Sequence, residues 1–307
     1  MAPSTSFRVA AIQAAPCYMD VQASLDKACA LIKSAAQTGA VVAAFSEAWL
    51  PGFPFFLFSA LDRQWWRAAA RYLEATIEVP GPETDALCAA ARDAGIDVVI
   101  GVVERDSTTQ GSAYCTILFI GREGKILGRH RKTRPTLVER AIWADGDARG
   151  LVVHERSYGR ISALNCWEHN SVLPGYALMA QGTQVHFALW PGREQATAPA
   201  APEALYSRQL LLSRAFASQA ASYVVCVGGL RTKQDVPEEF VDLQIRDTTG
   251  DSYIIDPRGE VIVGPGVGET ILTAECDPEL LRAAKVACDV AGHYGRKDLF
   301  EFSVRAS

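Results

Sequence analysis

The chain has 307 residues, 49% hydrophobic and 21% charged, with a formal net charge of -5; this is the make-up of a soluble globular protein able to bury a large core. The mild charge and the lack of any long Lys/Arg block exclude a nucleic-acid surface, Gly128-Arg-His-Arg-Lys132 being too short to make one. Eight scattered cysteines without a CxxC pair exclude a zinc or secreted disulfide framework, and Met1 to Ser6 lacks a signal-peptide pattern, so a reduced, cytoplasmic protein is expected.

Short apolar runs alternate with helical patterns, the sign of an α/β protein. Phe7 to Gln13 reads as a strand, and Val21 to Gln37 as an amphipathic helix with Asp20 as N-cap and Gly39 as its stop. Ala40 to Phe45 is almost wholly apolar, as a strand buried on both faces would be. The greasy stretch Ala48 to Leu61 that follows is broken by Pro51, Gly52 and Pro54, and is too short to cross a membrane. A helix over Glu83 to Ala94 leads into a strand over Asp97 to Val103. Tyr114 to Ile120, a Gly-Arg-Glu-Gly turn and Lys125 to Arg129 predict a hairpin, which makes the sheet arrangement mixed.

Two further strand–helix units are Arg160 to Asn165 with Leu173 to Gln181, and Gln184 to Trp190 with Glu203 to Ala220. Strands over Tyr223 to Val227, Ser252 to Ile255, Glu260 to Val263 and Ile271 to Glu275 complete the set, and Pro278 to Lys285 reads as a last helix. Glu194 to Pro202 and Arg231 to Glu239 are loop candidates. Neither shifts composition enough to mark a boundary, and no internal repeat is visible, so one domain over residues 1–307 is expected.

Three residue types in unusual contexts carry the chemistry. Cys166 ends the apolar run Ile161-Ser-Ala-Leu-Asn-Cys166 just before a helix, where backbone N–H groups can stabilise a thiolate. Most cysteines are no more than small buried hydrophobes. Glu47 closes the strand Val41-Val-Ala-Ala-Phe-Ser-Glu47 before an aromatic Pro/Gly turn, where desolvation would raise its pKa towards that of a general base. Lys132 follows the hairpin, and a lysine there can offset developing negative charge. Glu139 is a further acid within reach of the lysine in sequence. No G-x-S-x-G elbow and no P-loop is present, and His130, His154, His169, His186 and His293 show no ligand spacing, so neither a metal nor a cofactor is expected. His154 and His186 fall inside strands, as core or interface residues.

Three segments in order, Phe45-Ser-Glu47-Ala, His130-Arg-Lys132-Thr-Arg-Pro-Thr136 and Asn165-Cys166-Trp167-Glu168-His169, resemble the motifs of the nitrilase, or carbon–nitrogen hydrolase, superfamily. The resemblance runs from Val9-Ala-Ala-Ile-Gln13 to His293-Tyr-Gly-Arg-Lys-Asp-Leu-Phe300, and Cys-Trp-Glu is similar to the true nitrilase branch. It implies an αββα sandwich with mixed sheets. Cys166 is then the nucleophile, Glu47 the general base, Lys132 the cation that stabilises intermediates, and Glu139 the acid that orients the lysine or the hydrolytic water. The implied reaction converts an organic nitrile to its carboxylic acid and ammonia through a thioimidate and a thioester, without cofactor. Thr133-Arg134 departs from the apolar residue common after the lysine.

Phe53, Trp167, Trp190 and His169 are the candidate substrate-contacting residues, Trp167 and Trp190 foremost. Glu168 and His169 also suit a salt bridge or hydrogen bond holding the elbow. The implied assembly is a homodimer or larger homo-oligomer, and the sequence ends soon after His293-Tyr294 without the tail that supports spirals. An amidase or carbamoylase of the same superfamily is the alternative reaction, and an inactive binding scaffold of this fold the alternative role.

Overall fold

The computed structural model describes residues 5–192, 208–243, 245 and 247–305. Strand β1 (Phe7–Gln13) sets the pattern for the whole chain: Phe7, Val9 and Ala11 enter one core while Ala10 and Ile12 enter another on the opposite face. A strand that serves two cores has to be apolar on both faces, and apart from the exposed Arg8 and the terminal Gln13 this run lacks polar alternation.

One six-stranded sheet has the order β14-β1-β2-β3-β4-β5, with β2 (Ala40–Ala44), β3 (Asp97–Arg105), β4 (Ala113–Gly121), β5 (Lys125–Arg131) and β14 (Thr270–Cys276). Strands β1, β2 and β3 run parallel, and the remaining pairs are antiparallel. The other six-stranded sheet has the order β13-β12-β9-β8-β7-β6, with β6 (His154–Arg156), β7 (Gly159–Asn165), β8 (Val185–Trp190), β9 (Tyr223–Gly228), β12 (Tyr253–Ile255) and β13 (Val261–Val263). Here β7, β8 and β9 are parallel and flanked by antiparallel partners. The two sheets therefore repeat one strand plan, an antiparallel edge followed by three parallel strands and two antiparallel ones, although no sequence repeat announces it. A small ribbon of β10 (Leu230–Arg231) and β11 (Thr248–Thr249) stands apart.

The inner faces of the sheets meet through Val9, Val42, Val99 and Phe119 on one side and Ile161, Phe187, Val225 and Ile254 on the other. Helices α1 (Val21–Gln37) and α3 (Pro82–Ala94) cover the outer face of the first sheet with Leu25, Ile32, Leu87 and Ala91. Helices α4 (Val172–Ala180) and α5 (Arg208–Ala220) cover the second with Leu178, Phe216 and Ala217. The layers run αββα, as expected. A last helix, α6 (Pro278–Ala287), follows β14. Asp20 caps α1 by accepting from Ala23 N at 3.0 Å, and Gly95 at φ 67° stops α3.

Several expectations need correcting. Helix α2 (Arg63–Glu74) was not anticipated, although Asp62 caps it and Trp65, Ala68 and Tyr72 bury one face. Strand β6 was also missed, being only three residues long. The Arg231 to Glu239 loop contains part of β10 and the 3-10 turns Lys233–Asp235 and Glu238–Phe240. The loop expected over Glu194 to Pro202, and residues 203–207 of the expected helix, lie outside the described residues.

Candidate active site

The ends of strands from both sheets converge on one buried point. Glu47 lies three residues beyond β2 in a tight turn, because its neighbour Ala48 takes a left-handed backbone at φ 48°. Gly101 on β3 makes this turn possible: a Cβ there would sit 2.3 Å from the Ser46 carbonyl oxygen. The Glu47 amide donates to the Trp190 carbonyl at 3.4 Å, so the turn is also tied to the other sheet.

Lys132 leaves β5 with its amide donating to the Cys115 carbonyl at 2.7 Å. Its ammonium donates to Glu47 Oε1 at 2.7 Å and to Glu139 Oε2 at 2.8 Å, with no solvent exposure. Glu139 sits in the 3-10 turn Leu137–Ala141, and its Oε2 also accepts from Thr136 N at 2.6 Å. Cys166 opens a 3-10 turn, Cys166–Asn170, at φ 48°. A left-handed β-carbon residue is uncommon and strained, and here it turns the thiol out of the strand. Its Sγ and one oxygen each of Glu47 and Glu139 lie within 4.8 Å of one another. These donors suit a cation in type, and the cation they hold is the Lys132 ammonium.

The electrostatics assign protons. Burial raises the Glu47 pKa to about 7, against the pull of Lys132 and with a further push from Glu139. Burial disfavours charge on Lys132, but Glu139 and Glu47 outweigh it and hold its pKa well above the usual lysine range. Burial, then the Glu47 charge, push the Cys166 thiol well above its ordinary value, with Lys132 opposing. The thiol is thus protonated at rest and needs a base. Glu47 offers one, since its Oε2 is buried without a hydrogen-bond partner while Oε1 is held by Lys132.

Glu168 binds the two loops together. Its Oε1 accepts from Thr133 N and Thr133 Oγ1, both at 2.8 Å, and its Oε2 accepts from Asn165 N at 3.0 Å and His130 Nε2 at 2.9 Å. Burial works against the charge, but His130 and these N–H donors win and lower its pKa to about 2. One carboxylate therefore fixes the residue after Lys132 and the residue before Cys166. Thr133, which departs from the family's apolar residue, is used here as a donor to Glu168.

Sequence reasoning missed Cys115, whose thiol donates to Glu47 Oε1 at 3.5 Å. Extending the β4–β5 pairing one step past Thr116 opposite Arg131 would have placed Cys115 beside Lys132.

Above the thiol lies a cavity of about 340 Å³, and Phe53, Trp167, Trp190 and Glu139 are on its wall. His169, the remaining substrate-contact candidate, is not. Its Nδ1 donates to the Cys166 carbonyl at 2.7 Å, its Nε2 meets His186 Nε2 at 3.0 Å, and its ring stacks behind Trp190. Because a carbonyl only accepts, His169 carries its proton on Nδ1, and His186 donates to it. Burial lowers the His169 pKa to about 4, consistent with a neutral ring. Its place is the support of the elbow. Trp49, Phe55, Phe56 and Trp143 are packed in the core.

The family model described as "Carbon-nitrogen hydrolase" matches residues 8–286. The chain belongs to the carbon–nitrogen hydrolase family. Among curated relatives, "Nitrilase 2" from an unknown prokaryotic organism is 49% identical over 96% of this chain and 91% of its own length. The "Aliphatic nitrilase" of Rhodococcus rhodochrous is 35% identical over 98% of this chain and 83% of its own. Among solved structures, Saccharomyces cerevisiae Nit3, a member of branch 10 of the nitrilase superfamily, superposes with a TM-score of 0.74 at 22% identity, covering 95% of this chain and 97% of that one. That likeness establishes the αββα carbon–nitrogen hydrolase fold. No described helix is long and apolar enough to cross a membrane.

Proposed function

We propose that this carbon–nitrogen hydrolase is a nitrilase, converting an organic nitrile and two waters to a carboxylic acid and ammonia. The observation that carries this reading is the meeting of Cys166, Glu47 and Glu139 around the Lys132 ammonium at the base of an apolar cavity. The nitrilase names of relatives up to 49% identical support a nitrile as the electrophile.

Glu47 Oε2 takes the Cys166 proton, and the thiolate attacks the nitrile carbon. The proton passes from Glu47 to the nitrile nitrogen, giving a neutral thioimidate. A first water, deprotonated by Glu47, adds to that carbon. The resulting tetrahedral species expels ammonia, protonated by Glu47, and leaves a thioester. A second water enters by the same base, and the Cys166 thiol leaves with the returned proton. Lys132 offsets the negative charge of each tetrahedral state, and Glu139 holds the lysine aimed. Expulsion of the thiol before ammonia would release the amide. Phe53, Trp167 and Trp190 contact the substrate.

Ammonia and acid measured with matched nitrile and amide substrates test the reaction: acid from nitriles supports it, and turnover of amides alone overturns it in favour of an amidase. Cys166→Ala is expected to lower kcat by at least about 10⁴-fold, and mass spectrometry of the active chain during turnover should trap an acyl adduct on Cys166. Full activity in that variant would sink the mechanism, and no turnover of nitrile or amide by the native chain would favour an inactive scaffold.

The proposal includes a cytoplasmic homo-oligomer, a dimer or larger. Eight free thiols fit a reducing compartment. Exposed Val172 and Leu173 on α4 and Leu211 on α5 are apolar surface that a second copy would cover. Light scattering on the purified chain gives the stoichiometry, and a monomer at micromolar concentration would refute it.

A further inference from the structure

We infer that the site selects nitriles carrying an uncharged aromatic ring, a conclusion that rests on the nitrilase reading and narrows it. Cys166 lies at the wall of a cavity of about 340 Å³, so the reacting carbon must sit there and the remainder of the substrate must occupy the space above it. That space is bounded by rings from three separate elements: Phe53 and Phe58 from the segment after β2, Trp167 from the elbow and Trp190 from the end of β8. A ring between them can be met edge-on and face-on, the arrangements aromatic groups prefer.

The walls are held apart by what stands behind them. Trp190 stacks on His169 with centroids 5.3 Å apart and planes at 20°. Phe53 makes an edge contact with Trp143 at 5.5 Å. Trp167 has the Arg208 guanidinium over its ring at 5.6 Å. Rings braced in this way do not collapse around a short chain. A two- or three-carbon nitrile would leave much of the cavity to water or void and forfeit the dispersion contacts of the walls.

The described walls also carry little charge. Among the described wall residues other than Cys166, the one ionisable side chain is Glu139, and it is bound to Lys132 at 2.8 Å. A carboxylate on the substrate would face acids without a free cation, and an ammonium would face a carboxylate already paired; either would enter desolvated.

The test is kcat/KM of the full chain for phenylacetonitrile, propionitrile and 4-cyanobutanoate, read as acid and ammonia. Phenylacetonitrile is expected to exceed propionitrile by at least about tenfold, with 4-cyanobutanoate below both. Phe53→Ala should lower the phenylacetonitrile-to-propionitrile ratio at least about fivefold. If circular dichroism reports that variant unfolded, Phe58→Ala, at a residue 40% exposed, gives the same reading. Propionitrile equal to or better than phenylacetonitrile, a competitive 4-cyanobutanoate, or an unchanged ratio in the folded variant overturns the ring preference while acid formation leaves nitrile hydrolysis standing. Failure of all three nitriles overturns both.

Discussion

Glu47 has two carboxylate oxygens with different duties: Oε1 is engaged by Lys132 and Cys115, while Oε2 has no partner. In the proposed mechanism the free oxygen is the base, and it works only when the carboxylate is ionised. Because burial raises its pKa to about 7, protonation as pH falls through that value removes the base. We expect kcat/KM to fall about tenfold per pH unit on the acid side, with an apparent pKa near 7. Glu47→Gln should abolish that limb and cost roughly 10²–10⁴-fold in rate. Glu168 works in the opposite direction. Its folded pKa of about 2 lies below the ordinary glutamate value of 4.5, so its ionised form stabilises the fold above the unfolded value, and this contribution is lost as pH falls from about 4.5 towards 2. Glu168→Gln should therefore lower stability at pH 7 by on the order of 3 kcal/mol, and in urea titrations the difference between the two proteins should be less than half as large at pH 3 as at pH 7. Equal differences at both pH values would refute the assignment.

At the level of elements, helix α2 illustrates what the sequence concealed. Asp62 Oδ1 accepts from Gln64 N at 2.8 Å and Trp65 N at 3.0 Å, a cap worth about 1 kcal/mol; Asp62→Ala should lower stability by about that amount in urea unfolding, with kcat unaltered. The helix escapes notice because the aromatic, proline-broken stretch before it obscures the change of period, while its buried Trp65, Ala68 and Tyr72 do have helical spacing. By contrast, β1, β3 and β4 were legible in their nearly continuous apolar runs, and β5 in the Gly-Arg-Glu-Gly turn that pairs it with β4. The candidate site was legible in Glu47, Lys132, Glu139 and Cys166, which local motifs single out and the fold brings together. Cys115, the Thr133–Glu168 contact and the retreat of His169 were not, because each depends on residues brought together from separate strands. Short β6 was lost for a simpler reason: three residues carry no period.

For the whole molecule, two buried carboxylates join the sheets. Asp97, at the start of β3, accepts from Arg156 Nε at 2.7 Å and from the Tyr158 hydroxyl at 2.7 Å, both next to the β6–β7 turn of the other sheet. Glu168 joins the sheets again beside the candidate active site, through Asn165 at the end of β7 and His130 in β5. Breaking the distant pin should be felt at the site as well. Asp97→Ala leaves Arg156 without its buried partner, a change of about 3–5 kcal/mol. Thermal unfolding and loss of activity should shift down together in that variant. Activity that survives past the unfolding midpoint would refute the coupling.

The repeated strand plan has a consequence for when this chain becomes reactive. The first sheet carries Glu47 and Lys132, the second carries Cys166, and the base and the thiol meet only across their interface. A growing chain that has completed β5 has a base without a nucleophile, and a second sheet on its own has an ordinary unactivated thiol. On the proposed mechanism, assembly of the sandwich is what brings the thiol its base.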